Sequence, residues 1–497
     1  MKTTLRARTF PGQENDTFDL AIFFVLTMFT SVFTLGRFNV SDEPIQEGYT
    51  GFVLWGRIIS YRQDQAMNVA LFVASLVWFT LLAVLFLYRR YLLNKGFISH
   101  KLLAFFIGLI LLRFVTYFSF PYGSLSFDFK DLASQKIFTI PYDGLSLYDR
   151  TISFFLDEMF LTYFLLFFTY FKTLTYRADV LTDILLFAFI GVALLMNLYT
   201  YCFQYNEIAF NLKNFFSDET PQMENIVSFT SHRNVYGFFL LMAGYASLIL
   251  SFRRKMSPVF FGLIIYFLLT EFLIKCRSSL LMMVFLVLFY LIIAAVVSFK
   301  KRPVVFWLSL GSLIALVLVY LILVIFFRGT SFGKHLALLW HFFSDPGTIF
   351  SRLDLQERAV SMLGAGSNYL LFGFGKVSYI YLYNAFGTAM SAELQWFSHN
   401  GFIDVLVSYG LIYLLVLIAA YLYLCYQCLY LIQKKEASGY AYLGVLFLII
   451  FYGFAESRIL FGMDGSQVFF TLILLWPLTR EYQDCRQQVQ TSLQKIQ

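Results

Sequence analysis

The sequence predicts an all-α integral membrane protein with about 12 transmembrane helices. Of its 497 residues, 59% are hydrophobic and only 13% are charged, whereas soluble globular proteins are about 45–50% apolar and about 25% charged. Long apolar stretches alternate along the chain with short segments rich in lysine and arginine. Because lipid offers the backbone no hydrogen-bond partners, these stretches are expected to form helices.

A membrane-spanning helix needs about 20 mainly apolar residues, and about 12 stretches reach or approach that length. They lie at 20–36, 67–88, 102–120, 151–171, 181–204, 232–252, 258–275, 278–298, 304–327, 400–424, 439–456 and 466–479. No small-residue cleavage site follows the first stretch, so we expect a retained helix there and not a signal peptide. The chain is predicted to form a single polytopic membrane domain over residues 1–497.

Lysine and arginine accumulate in the cytoplasmic loops of membrane proteins, and this bias sets the orientation. Alternate loops here contain the basic residues Arg89, Arg90, Lys95, Lys172, Arg177, Arg253, Arg254, Lys255, Lys300, Lys301, Arg302, Lys434 and Lys435. With these loops inside, both termini are cytoplasmic. The longest loop, 328–399, between the ninth and tenth helices, is then extracytoplasmic. The net charge of +7 therefore reflects topology, and no nucleic-acid partner is expected.

The large loop contains a predicted amphipathic helix, "SRLDLQERAVSML". Ser351 stands three residues before Asp354, which resembles a capping box at a helix start. One face of this helix is apolar at helical spacing and consists of Leu355, Ala359, Met362 and Leu363. Such a helix is expected to lie on or near the membrane surface.

In this topology the even-numbered helices begin at the extracytoplasmic face. Three of their starts join a hydroxyl or amide to a basic or titratable side chain: His232, Arg233 and Asn234 in the sixth helix, Arg277 and Ser278 in the eighth, and His399 and Asn400 in the tenth. Helix N-termini favour anions, and the arginine fork suits phosphate oxygens. The pattern predicts a phosphate or pyrophosphate site, while anchoring of these side chains to lipid headgroups is the alternative.

Acidic side chains inside predicted helices are a second group of candidates, because they are costly in lipid. They are Asp157, Glu158, Glu271, Asp404 and Glu456. Each is expected to be functional or to pair with an arginine such as Arg113. No H-x-x-H or H-E-x-x-H spacing is present, so a metal site is not expected.

Four segments between about 230 and 425 resemble, in order, those of bacterial O-antigen polymerases and ligases. "SHNGFIDVLVSYGLIYLL" resembles the His–Asn signature that opens a late helix of that family, and "SHRNVYGFFLL" resembles the Asn–aromatic–Gly start of an earlier one. "CRSSLL" is similar to its Ser–Arg–small-residue helix start, with Cys276 in place of the usual serine. "SRLDLQERAVSMLGAGSNYLLFGFG" resembles its large outer loop, which closes on a pattern matched by Gly373 and Gly375.

The resemblance implies a GT-C-like fold and a lipid-linked glycan transferase. A polymerase of this kind moves a growing glycan from undecaprenyl pyrophosphate onto another lipid-linked repeat unit of an O-antigen, capsule or exopolysaccharide. The reaction takes place on the extracytoplasmic face of the bacterial cytoplasmic (inner) membrane, without cofactor or metal. The implied partners are the undecaprenyl-pyrophosphate-linked donor and acceptor, membrane lipids and a chain-length regulator protein. Transfer to lipid A core or another acceptor, as by an O-antigen ligase, is the alternative.

The resemblance also implies roles for individual residues. His399 is the candidate general base, because an imidazole can accept a proton near neutral pH. Arg277 and Arg352 would stabilise the leaving pyrophosphate, with Arg358 as the alternative to Arg352. The remaining substrate-binding candidates are Arg358, His232, Arg233, Asn234, Ser278, Asn400, Asp404, Gly373 and Gly375.

A transporter, such as a flippase for lipid-linked oligosaccharides, is the competing function from a different class. Carriers place their polar residues near the middle of the membrane, at broken helices. Here the candidate residues gather at the predicted outer edge of the membrane, next to a long loop. That distribution favours an enzyme.

Overall fold

The computed structural model describes residues 51–54, 57–60, 84, 100–118, 125–132, 134–142, 147, 150, 151, 154, 178–215, 226, 228, 233–274, 276–299, 303–326, 346–390, 398–456, 475, 477–486 and 488–490. Within these residues the protein is mostly helical, as predicted. The helices are α1 (His100–Phe118), α2 (Ala178–Phe203), α3 (Tyr205–Phe215), α4 (Arg233–Arg253), α5 (Pro258–Ile274), α6 (Arg277–Ser298), α7 (Pro303–Phe326), α8 (Pro346–Met362), α9 (Ser367–Phe372), α10 (Lys376–Ala389), α11 (Gly401–Gln433) and α12 (Ala437–Ala455).

Five of the described helices are long and apolar enough to cross a membrane. Their candidate spans are Asp183–Phe203, Tyr236–Arg253, Ser278–Ser298, Gly401–Gln433 and Ala437–Phe454, and shorter apolar segments lie at Ile107–Phe118, Pro258–Ile274 and Pro303–Ser312. All eight fall on stretches predicted to be helical. Other predicted helices lie wholly or mostly outside the described residues, at 20–36, 67–88, 151–171 and 466–479. The described part of the chain therefore fits a multi-pass membrane protein, while the count of twelve and the GT-C-like fold stay predictions.

The prediction of an all-α fold is wrong for two short segments, which form antiparallel hairpins. β1 (Gly51–Leu54) pairs with β2 (Arg57–Ser60), and β3 (Leu125–Lys130) pairs with β4 (Ile137–Tyr142). Burial alternates along β3, and both of its phenylalanines are buried, because successive side chains of a strand point to opposite faces. A search for apolar stretches of helical length does not detect this six-residue alternation.

The large loop predicted at 328–399 is folded where the structure describes it. Its predicted helix is confirmed as α8, and the apolar face of that helix packs against α10, α11 and β3. The residues buried on this face are Leu355, Ala359 and Met362. The expected capping box is wrong, since α8 begins at Pro346 and Ser351 lies inside it. Proline suits the first helical position, where an N–H would have no partner.

The β3–β4 hairpin packs on the large loop through aromatic rings. Phe127 and Phe129 lie edge-on to Phe374, with ring centroids 6.0 and 6.2 Å apart. The hydroxyls of Tyr142 and Ser378 form a buried hydrogen bond of 2.9 Å. These contacts hold the turn between α9 and α10.

Helix α11 is broken at Gly410, whose φ is 81° and ψ 175°. At the break the carbonyl oxygens of Val407 and Ser408 accept hydrogen bonds from the N–H groups of Phe374, at 2.9 Å, and Gly375, at 2.8 Å. Backbone groups freed at membrane depth need such partners, because lipid supplies none. The first segment of α11 is thus tied to the large loop. The remaining segment is roughly 35 Å long, enough to cross the bilayer by itself.

Polar side chains gather at the two ends of α12. At its N-terminal end, Ser438 donates to Glu481 over 2.6 Å, and Arg253, at the C-terminal end of α4, contacts the same carboxylate. At the other end, Glu456 accepts a hydrogen bond of 2.7 Å from Ser278. Helix α12 has 19 residues, which places the two clusters about 28 Å apart. That separation is close to the hydrocarbon thickness of a bilayer, about 30 Å.

Gly410→Ala is expected to destabilise the protein, because the added Cβ would lie 2.1 Å from the carbonyl oxygen of Leu371. The positive φ adds strain for any L side chain, so the loss should exceed about 1 kcal/mol. Gly311→Ala in α7 is the control, since nothing lies within 4 Å of its added Cβ. Thermal unfolding in detergent measures both. Equal unfolding midpoints for the two variants would contradict the role of Gly410.

Candidate functional site

Four segments of the chain meet at Glu456, the residue that follows α12. Ser278 donates its hydroxyl to Oε1 over 2.7 Å, and Nη2 of Arg352 lies 3.6 Å from the same oxygen. Nδ1 of His399 lies 3.5 Å from Oε2. The Glu456 carbonyl accepts a hydrogen bond of 3.1 Å from the N–H of Gly401, the first residue of α11. Side chains from α6, α8 and the start of α11 therefore surround one carboxylate.

The carboxylate of Glu456 lies in an electrostatically demanding position. The C-terminal end of a helix is the negative end of its dipole and disfavours another negative charge. Glu456 is only 4% exposed, and a buried charge costs several kcal/mol unless donors and cations compensate. The compensation comes from Ser278, Arg352 and the positive N-terminal ends of α6 and α11. The same positive surroundings would favour an anionic ligand.

His399 is held in an unusual backbone conformation. Its φ of 56° lies in the left-handed region, which costs a non-glycine residue about 1–3 kcal/mol. The neighbouring residues fix the turn, since Asn400 N–H donates to Ser398 Oγ over 3.2 Å. Asn400 caps α11, and its Oδ1 accepts from Phe402 N–H at 3.1 Å and Ile403 N–H at 3.3 Å. Asn400 is therefore the residue that caps α11. The side chain of His399 is 27% exposed and faces the buried carboxylate of Glu456.

The serines at the start of α6 do not cap that helix. Its N-cap is Cys276, which makes no side-chain capping bond. Ser278 donates to Glu456, and Ser279 donates to Glu271 at the end of α5 over 2.8 Å. Burial raises the pKa of the Cys276 thiol to about 12, so the thiol stays protonated and acts as a small apolar filler. The first turn of α6 thus connects two buried acids.

The two candidate arginines of the large loop lie in different surroundings. Arg352 reaches Glu456 and its side chain is 24% exposed. Arg358 is buried, with its guanidinium carbon 5.2 Å from the centre of the Tyr383 ring. A Cβ added at Gly387 would meet Arg358 Nη1 at 2.3 Å, so the guanidinium packs tightly against α10. Arg352 and His399 therefore lie at the same carboxylate, whereas Arg358 is buried within the loop.

Three further residues predicted to bind substrate have described contacts with residues other than Glu456. Gly373 and Gly375, with φ of 72° and 73°, pack against the backbone of α11 and α1, where an added Cβ would meet backbone atoms at 2.4 and 3.0 Å. Asp404 is fully buried and accepts a hydrogen bond of 2.7 Å from the Tyr379 hydroxyl. The described contacts of these residues are to the protein itself.

The remaining candidates are described only in part. Arg233 and Asn234 form the first residues of α4, and Arg277 is the first residue of α6 and precedes Ser278. The structure describes the backbone of these three residues and not their side chains. His232 lies outside the described residues. Their binding roles therefore stay predictions.

Glu456 is the site residue that the helix-start pattern missed. The sequence identified it as a costly acid in the eleventh predicted helix, without assigning it to the site. The signal that could have found it is topological. The eleventh helix runs outward in the predicted topology, so its last residue lies at the same membrane face as the starts of the sixth, eighth and tenth helices.

No group of three histidine, cysteine or acidic side chains that could hold a metal ion occurs among the residues that the structure describes. The absence of a metal and of a cofactor stays an expectation. Comparison of the chain with family models, with characterised protein sequences and with solved structures gives no match.

Glu456→Gln is expected to lower the free energy of unfolding by about 1–3 kcal/mol, the usual loss when hydrogen bonds to a charged group are weakened. The amide can still accept from Ser278 but carries no charge to attract Arg352. In the Glu456→Gln background, Arg352→Gln should cost little more. Thermal unfolding of the four proteins of this double-mutant cycle measures the coupling. Strictly additive losses would show that Arg352 and Glu456 do not interact.

Proposed function

We propose that this protein is a membrane glycosyltransferase that uses a polyprenyl-pyrophosphate-linked glycan as donor. Its acceptor is a hydroxyl of a second lipid-linked repeat unit, on the extracytoplasmic face of a bacterial cytoplasmic membrane. The observation that carries the proposal is the meeting of His399, Arg352 and Ser278 at Glu456. His399, Arg352 and Ser278 lie in segments far apart in the chain, and each was predicted from the sequence alone.

His399 is suited to remove a proton from the acceptor hydroxyl. Its Nδ1 faces Glu456 at 3.5 Å, and a carboxylate on one ring nitrogen orients the imidazole. Nε2 is then the atom that takes the proton. The acceptor oxygen forms a bond to C1 of the donor sugar, and the bond from C1 to the pyrophosphate oxygen breaks. Polyprenyl pyrophosphate leaves with that electron pair.

The positive groups around the site fit the leaving pyrophosphate. Arg352 lies 3.6 Å from Glu456. A guanidinium carries five N–H donors, so Arg352 can serve a phosphate oxygen as well as this carboxylate. Arg277, at the first position of α6, lies where the helix dipole adds to its charge. Stabilisation of the charge that develops on the leaving group is usually the largest contribution to catalysis.

Polymerase activity is the leading form of this proposal, and it rests on the sequence resemblance to O-antigen polymerases and ligases. The product would be an O-antigen, capsule or exopolysaccharide, and a chain-length regulator would be a partner. Ligase-type transfer to lipid A core or another acceptor uses the same donor and the same residues. The two activities differ in the acceptor, which the residues around Glu456 do not specify.

A transporter of lipid-linked oligosaccharides is the second candidate, because α11 is broken at Gly410. Broken helices in carriers offer freed backbone groups to the substrate. Here the freed carbonyls of Val407 and Ser408 are occupied by backbone N–H groups of the large loop. The candidate side chains meet at helix ends and not at this break, which favours the enzyme.

His399→Gln should lower turnover about 10²–10⁴-fold, the usual effect of losing a general base, because an amide cannot accept the proton. His399→Asn is the matched variant, since asparagine tolerates the left-handed backbone and separates side-chain chemistry from strain. Both are assayed in liposomes with lipid-linked repeat units, following chain growth and release of polyprenyl pyrophosphate. Normal turnover by either folded variant would refute the base role. Movement of the substrate across the membrane without bond formation would indicate the transporter.

Arg352→Lys should lower turnover at least about 10-fold while the protein stays folded, because lysine lacks the bidentate fork. Arg358→Lys is the matched control within the same helix. This substitution should mainly lower the thermal stability, since Arg358 is buried against the ring of Tyr383. Turnover and unfolding midpoints are measured for both variants. The reverse pattern, with only Arg358→Lys inactive and folded, would make Arg358 the phosphate ligand.

A further inference from the structure

Asp404 and Tyr379 form a buried pair next to the His399 turn. Asp404 lies in the first turn of α11 and Tyr379 in α10, and both are fully buried. Oδ1 of Asp404 accepts a hydrogen bond of 2.7 Å from the Tyr379 hydroxyl and one of 3.0 Å from the N–H of Ser398. Burial, and then the charge of Asp404, raises the pKa of Tyr379 well above its ordinary value. The hydroxyl therefore stays a donor at neutral pH.

The contacts of Asp404 hold the His399 turn from both sides. Its carboxylate accepts from Ser398, the residue before His399. Its own N–H donates over 2.9 Å to the carbonyl of Asn400, the residue after His399. A backbone conformation with φ of 56° persists only where the surrounding structure fixes it. Asp404 thus contacts both flanks of this strained position.

Tyr379 connects the turn to the helix that contains Arg352. Its ring lies 5.5 Å from the ring of Tyr383, centroid to centroid. The Tyr383 hydroxyl donates over 3.0 Å to the carbonyl of Leu355, within one turn of Arg352 in α8. A continuous series of buried contacts therefore runs from the His399 turn through α10 to α8.

We infer that Asp404 and Tyr379 are positioning residues, which set His399 and Arg352 at a fixed separation across Glu456. Asp404 acts through hydrogen-bond acceptance and not through contact with substrate, in contrast to the role expected from the sequence. The predicted effect on turnover rests on the proposed function. The predicted effect on the His399 side chain does not.

The test compares Asp404→Ala, Asp404→Asn and Tyr379→Phe in the full-length protein in liposomes. One readout is the rate at which diethyl pyrocarbonate modifies His399, resolved from the other four histidines by peptide mass spectrometry. The other readout is turnover. Asp404→Ala should change the modification rate at least about 5-fold and lower turnover about 10²-fold, the scale expected for misplacing a catalytic group by about 1 Å. Tyr379→Phe should give smaller changes in the same direction.

Asparagine keeps an acceptor oxygen for Ser398 and Tyr379, so Asp404→Asn should restore both readouts to within about 3-fold of wild type. In the His399→Gln background, Asp404→Ala should cost less than about 3-fold in turnover, because the two residues act as one unit. Tyr381→Phe, on the more exposed side of α10, is the control and should change neither readout.

Three outcomes would overturn the inference. They are an Asp404→Asn variant as inactive as Asp404→Ala, a full loss from Asp404→Ala in the His399→Gln background, and an unchanged modification rate in the Asp404→Ala variant. The first would show that the charge itself is used. If Asp404→Ala alters the modification rate of His399 while the wild-type protein shows no transferase activity, the positioning role is supported and the proposed function is refuted.

Discussion

The arrangement of the site depends on one buried carboxylate at the end of α12. Glu456 lies at the negative end of its own helix dipole, so the fold must bring positive groups to it. The first turn of α6, the Arg352 helix and the start of α11 all supply them. A single buried charge is thereby in contact with three distant segments. In the proposed function, the same positive groups bind the pyrophosphate of the donor.

The large loop is the second structural requirement. It donates hydrogen bonds to backbone carbonyl groups that the break in α11 leaves without partners inside the helix. The break in α11 leaves carbonyl groups that the turn between α9 and α10 satisfies. The hairpin β3–β4 in turn packs its aromatic side chains on that turn. The loop is therefore part of the folded protein and positions both the start of α11 and the Arg352 helix.

Local features of the sequence predicted the helices and part of the site. Apolar length indicated the described spans, and polar helix starts in the predicted topology selected His399, Ser278 and Asn400. The contacts that organise the site could not be predicted in this way. Ser278 and Glu456 are 178 residues apart, and no local pattern pairs them. The prediction missed the hairpins and the break at Gly410, because neither a short strand nor a single glycine changes the length of an apolar stretch.

The polar clusters at the two ends of α12 make the protein sensitive to hydrophobic mismatch. They lie about 28 Å apart and are joined to other helices through Arg253 at one end and Ser278 at the other. A thicker bilayer would draw a charged cluster into hydrocarbon, and a thinner one would expose apolar side chains to water. Either change is relieved by helix tilt or by local adjustment of the lipid. Because Glu456 belongs to one of these clusters, we expect the geometry of the site to respond to the acyl-chain length of the surrounding lipid.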